Sequence, residues 1–206
     1  MEAGGFARSR DGLAAPDLQV GVAGGPPPLP ELADPAWRAA SMIVVAVDPR
    51  SRGRVALRSA DPRARAAIDP AYLADEADLD VLVAGVRQAR EIAARQPLAG
   101  LVAKEDAPGE DVRDDERLRA WVRGNVTTIF HPTGSCAMGG SDAAVCDPEL
   151  RVRGVDGLRV VDASVMPAVP RGNTNAPTIA IAEWAADLIK GKKPLSSQRS
   201  RLAQSA

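Results

Sequence analysis

The stretch VTTIFHPTGSCAMGG, residues 126–140, divides the chain into two textures. Its first five residues, Val126 to Phe130, are rich in β-branched and aromatic side chains and predict a strand. That strand runs into His131-Pro132-Thr133-Gly134-Ser135-Cys136, a loop punctuated by Pro and Gly. Downstream, Leu158 to Val161 is a second short apolar strand ending at Asp162. A helix then begins near Asn175 to Thr178, carries Ile179, Ile181, Trp184, Leu188 and Ile189, and stops at Gly191 with Pro194 beyond. The reading is α+β with a seam near residue 125.

Upstream of the seam, Met42 to Val47 (MIVVAV) is a continuous apolar run that predicts a buried strand. Ser51 to Gly53 predicts a hairpin turn leading into the alternating segment Arg54 to Leu57. Asp75 is a fitting N-cap for a helix in which Leu79, Leu82, Val83, Val86 and Ala93 recur at helical spacing. A further helix is expected from about Asp114 to Arg123, with Leu118, Trp121 and Val122 on one face and Gly124 as its stop. Residues 1–36 are rich in Gly and Pro and read as loop. The tail, 192–206, is basic and serine-rich and reads as disordered.

Composition narrows the function classes. The 206 residues hold 26 Lys and Arg against 27 Asp and Glu, a net charge of −1, so no electrostatic surplus favours nucleic acid. Three Trp, one Tyr and two Phe are too few for base-stacking platforms. Two cysteines build no disulfide framework, and with a single histidine they fall short of a four-ligand zinc site, so no metal is expected. Nothing reads as a membrane span or a secretory signal, which makes a cytoplasmic protein the expectation.

His131 is the sole histidine. A structural imidazole is the ordinary reading, but a histidine where a strand gives way to a loop occupies a position typical of active sites. Imidazoles as a class are largely neutral at pH 7 and can accept a proton. Ser135 and Cys136 raise a hydrolase reading, which the lack of a G-x-S-x-G elbow weakens. Asp162 is either a turn-former or a carboxylate placed to hold a ribose hydroxyl. Asn173, Thr174 and Asn175 precede Pro177, so they read as helix-start residues. That same helix start could aim its free N–H groups at an anion or an electron-rich ring.

Three ordered blocks, HPTGSCAMGG at 131–140, VCDPELRVRGVDGLRVVDASVMP at 145–167 and GNTNAPTIAIAEWAADLI at 172–189, closely resemble the carboxyl-terminal part of the glucose–methanol–choline (GMC) flavin oxidoreductases, choline and alcohol dehydrogenase-like branch. EAGGFARSRDGLAAPDLQ at 2–19 and the segment 48–75 resemble that family's substrate domain. The resemblance implies an FAD enzyme that oxidises an alcohol to a carbonyl. His131 matches the family's active-site histidine, the base, and Asn175 the second active-site position, which is Asn or His. Asp162 and Ala163 match positions contacting FAD near its diphosphate and ribitol. Ala176, Pro177 and Thr178 form the helix start expected beside the flavin. Ser135 stands where Thr is more usual.

The implied fold is α+β. A substrate-domain sheet with packing helices occupies 1–125, an active-site and FAD-contacting segment 126–191, and a tail 192–206. The fingerprint G-x-G-x-x-G is absent, since no two of the 18 glycines are separated by one residue. The amino-terminal Rossmann unit is therefore expected to be missing. The expected partners are a small-molecule alcohol and a separate amino-terminal FAD-binding half, with no nucleic acid and no membrane span. The alternatives are an inactive truncated relic of the family and a Ser or Cys hydrolase.

Overall fold

The computed structural model describes residues 2–25 and 39–192. Residues 26–36 of the expected amino-terminal loop, and all of the expected disordered tail except Lys192, lie outside these described residues. The chain forms two compact units, Met1–Phe130 and His131–Ala206, and its architecture is α+β as expected.

The first unit is built on an antiparallel sheet of β1 (Ala3–Ala7), β2 (Leu18–Gly24) and β3 (Ala40–Ala46), in that spatial order. Two of these strands lie in the stretch read as loop, which corrects that reading. Glycine-rich segments such as AGGFA have poor intrinsic strand propensity. Pairing overrides it, with Phe6 opposite Gln19 and Val20 opposite Val44. The hairpin expected at Ser51 to Gly53 does not form either. Strand β3 pairs with β2, while β4 (Arg54–Ala56) pairs with β5 (Ala67–Asp69). The cause is Asp78, only 5% exposed, whose carboxylate accepts from the N–H groups of Arg50 (2.7 Å) and Ser51 (2.8 Å) and from the Ser51 hydroxyl (2.5 Å). Those bonds tie the 50–51 loop to a helix instead of letting it fold back on β3.

That helix is α1 (Glu76–Ala93), capped as expected by the Asp75 side chain on Ala77 N–H. It lies against β2 and β3 so closely that a Cβ at Gly85 would overlap Val44 Cγ1 and sit 2.9 Å from Leu18 Cδ2. Helix α2 (Asp115–Asn125) begins on its Asp114 cap and packs Leu118 and Val122 against Leu79 and Val83. It runs through Gly124 rather than stopping there. The Asn125 side chain satisfies the Trp121 carbonyl, and Val126 N–H bonds the Val122 carbonyl. Arg119 bridges to Glu76 and Asp80 across the two helices, and the Arg123 hydrogen bond holds the Glu76 carboxyl below its usual range.

Val126 to Phe130 is not a strand. Phe130 takes φ 64°, and its N–H turns back to Thr128 Oγ1 (2.9 Å), so the extended run breaks just before His131. β-branched composition alone cannot make a strand without a neighbour to pair with.

The second unit gathers loops around Cys146, Leu150, Val165 and Ala185, with Cys136, Met138, Val160, Ile181 and Trp184 packed alongside. Its only β-pairing among the described residues is through isolated bridges, Met138 with Cys146, Cys146 with Val152 and Arg151 with Arg159. The segment 158–161 is thus one bridge rather than a strand. Asp147 organises the turn by accepting from Glu149 N–H, Arg151 N–H and Arg151 Nε. Helix α3 (Asn175–Ile189) buries Ala185 and ends where Gly191 turns left-handed at φ 67°, as expected. No helix among the described residues is long and apolar enough to cross a membrane.

Two outcomes follow. Gly85→Ala should lower stability by about 1–3 kcal/mol despite the better helix propensity of Ala, because stiff Val44 cannot yield the space, and denaturant unfolding would register the loss. The Arg151 guanidinium holds the Asp147 carboxyl below the usual aspartate value of 3.8. A depressed folded value means its stabilisation is present above that pH and is lost on acidification through the folded value. The acid-side fall in unfolding temperature should therefore be shallower in Asp147→Asn than in the parent chain.

Candidate active site

His131 opens the second unit and is half-buried. Two residues from the start of α3 hold its ring. Asn173 Nδ2 lies 2.8 Å from Nε2, and Thr174 Oγ1 lies 2.8 Å from Nδ1. An amide nitrogen only donates, so Nε2 is the accepting nitrogen and Nδ1–H donates to the threonine oxygen. The one nitrogen able to take a further proton is therefore Nε2, the one beside the exposed Asn173 amide.

Thr174 is 8% exposed and occupies the N-cap position, yet its side chain caps no helix N–H. Its carbonyl accepts from Thr178 N–H (3.0 Å) and from the Thr178 hydroxyl (2.7 Å), which closes the first turn. Asn175 and Ala176 are the exposed first residues of α3, and Pro177 and Thr178 are half-buried behind them. The imidazole's partners are thus residues 173 and 174, immediately before Asn175, rather than Asn175 itself. The triplet Asn173-Thr174-Asn175 before Pro177 was the available signal; patterning read it as a helix start, the resemblance put only Asn175 in the site, and the ring contacts of Asn173 and Thr174 were missed. Helix-start residues and site residues share the same types, and only the path of the chain separates them.

The loop after His131 is pinned from below. Cys136 N–H donates to the Ser164 carbonyl (3.0 Å) and Met138 N–H to the Val165 carbonyl (2.9 Å). Gly134 makes the bend at φ 89°, where a Cβ would also sit 3.5 Å from the Met166 carbonyl. The Ser164 and Val165 carbonyls belong to a single 3-10 turn, Ala163–Val165, capped by Asp162, whose carboxylate accepts from Ser164 N–H (2.8 Å). Asp162 is exposed and Ala163 half-buried, so this turn brings both to the edge of the His131 loop. Ser135 is exposed, and neither imidazole nitrogen is bonded to it. A Ser–His nucleophile pair is not formed. Cys136 and Cys146 are free, and burial pushes the Cys146 thiol up.

Gly134→Ala should cost about 1–2 kcal/mol, because a side chain disfavours the left-handed backbone there. The His131 ring resonances should shift with it, whereas Gly140→Ala, at a position where a Cβ meets open space, should leave them in place.

Comparisons with known proteins agree on one family. The GMC oxidoreductase family profile matches residues 49–182. An uncharacterized GMC-type oxidoreductase of Mycobacterium tuberculosis is 44% identical over 192 residues, covering 92% of this chain and 36% of the relative. The mitochondrial choline dehydrogenase of Mus musculus is 42% identical over 206 residues, covering 96% of this chain and 34% of its own length. Pyridoxine 4-oxidase from Mesorbium loti superposes with a TM-score of 0.82 at 32% identity, over 92% of this chain and 38% of that one. The chain spans about a third of the length of these relatives. On this profile match and these identities, the chain belongs to the GMC oxidoreductases, a family of FAD-binding flavoproteins.

Proposed function

We propose that this chain is the carboxyl-terminal, proton-accepting portion of an FAD-dependent enzyme that oxidises a CH–OH group to a carbonyl. The observation that carries the reading is the His131 ring, held by two side chains with Nε2 as its accepting nitrogen. A neutral imidazole so held can take the hydroxyl proton of an alcohol. The O–H bond breaks, an Nε2–H bond forms, and electron density rises on the substrate oxygen. Asn175, exposed at the start of α3, is assigned the task of steering that oxygen with its amide. An alcohol approaching Nε2 displaces the Asn173 amide, which exchanges one neutral hydrogen bond for another at small net cost.

The residues present fit the cofactor chemically. The start of α3 carries no side-chain cap, so the N–H groups of Asn175 and Ala176 and the positive helix end remain for an electron-rich ring edge. Pro177 contributes no N–H and presets the turn, and Thr178 secures it through the Thr174 carbonyl. Asp162 and Ala163 are assigned to the diphosphate and ribitol side. Bound FAD supplies the hydride acceptor for the carbon next to the activated oxygen. The adenosine end is assigned to an amino-terminal FAD-binding half, because the dinucleotide fingerprint does not occur in these 206 residues.

Co-expression with the amino-terminal two-thirds of a GMC relative, followed by dye reduction with a panel of alcohols, tests this reading. His131→Ala should lower kcat about 10²–10⁴-fold while FAD absorbance stays with the purified complex. Full activity in that variant would overturn the base assignment.

A further inference from the structure

Thr174 is one of four buried polar or charged residues among those described, and it stands where a threonine ordinarily caps a helix. Its hydroxyl makes no cap bond and instead meets His131 Nδ1 at 2.8 Å. A cap is worth about 1 kcal/mol to a helix, so the first turn of α3 forgoes that stabilisation for the sake of a contact to a ring. Thr174 as a residue is 8% exposed, and its contact with Nδ1 is partly buried.

We propose that Thr174 is a positioning residue that, together with the donor-only Asn173 amide, holds His131 in its Nδ1–H tautomer and thereby presents the Nε2 lone pair to substrate. The inference deepens the reading of His131 as base and rests on it. A neutral imidazole carries one ring hydrogen. With that hydrogen donated to Thr174, Nε2 has no alternative but to accept, whereas the Nε2–H tautomer could not take a proton at that nitrogen. When Nε2 does gain a proton, Nδ1–H keeps its bond to the threonine oxygen, so the ring is held in one orientation in both charge states. Asn173 is compatible with only one of the two neutral forms, because its Nδ2 faces Nε2 and can only donate.

His131 is the only histidine in the chain, so long-range ¹H–¹⁵N correlation of the uniformly labelled 206-residue protein gives one imidazole pattern. At about pH 8.5, where imidazoles are neutral, the parent chain should show a protonated Nδ1 and an unprotonated Nε2. Thr174→Val keeps the branched shape and deletes the acceptor. It should move the tautomer ratio toward Nε2–H by roughly fivefold, the scale of one neutral hydrogen bond. Thr174→Ser should restore the parent pattern. An Nε2–H ring in the parent chain, or an unchanged ratio in Thr174→Val with its amide spectrum still folded, overturns the proposal. Should Thr174→Val fail to fold, the parent and Ser spectra decide, and an Nε2–H ring in either one overturns it. The measurement uses neither flavin nor alcohol. An unchanged ratio in Thr174→Val leaves Nε2 as the accepting atom, an Nε2–H parent ring moves the accepting atom to Nδ1, and His131 as base falls only to an active His131→Ala enzyme.

Discussion

A neutral imidazole can act as a base only through the nitrogen that lacks a hydrogen, and something must decide which nitrogen that is. In the proposed reading that decision falls to two adjacent residues 42 and 43 positions further along the chain, one on each ring nitrogen. Everything else in the second unit serves to bring those residues to His131. Helix α3 delivers them at its first turn, and the core of Cys146, Leu150, Val165 and Ala185 anchors that helix. The Ala163–Val165 turn then holds the 131–138 loop by two backbone bonds. In the candidate site a loop carries His131 and a packed helix sets its geometry, a division of labour usual at active sites.

The second unit achieves this with isolated bridges in place of a regular sheet. Backbone groups that a sheet would have paired are met by carboxylates instead. Asp147 takes three donors from the 149–151 turn, and Asp162 takes the N–H and the hydroxyl of Ser164. Asp and Asn side chains compete well for nearby backbone N–H groups, and that competition favours turns over strands. The first unit uses the same device at greater depth. Asp17 accepts from Ser9 N–H and hydroxyl between β1 and β2, and Asp78 joins the loop after β3 to α1. Both carboxylates are buried, and a buried charge is tolerable only when such donors surround it.

How much was legible beforehand depended on whether the deciding forces are local. The starts of α1, α2 and α3 and the left-handed stop at Gly191 follow from capping and periodicity, which act within a few residues. Strands fared worse. The run 126–130 has strand composition but no partner. The segment around β1 and β2 looks like loop, yet it pairs with β3 because neighbours across the sheet supply the hydrogen bonds that propensity does not foresee. Gly124 looked like a stop, but a side-chain amide and a backbone bond carried α2 past it.

From the order of residues alone came the α+β class, the helices, the family resemblance and the choice of His131 as the chemical centre. Those rest on short-range periodicity and on the identity of residues in contiguous motifs. Only the folded chain decided that Thr174 and Asn173 hold the imidazole, that Thr174 abandons capping to do so, and that Asp78 denies the 50–51 turn its hairpin. Each of those outcomes pairs groups more than 25 positions apart. Which donor meets which acceptor across such a distance is settled by packing, since nothing in a local stretch encodes the position of its distant partner.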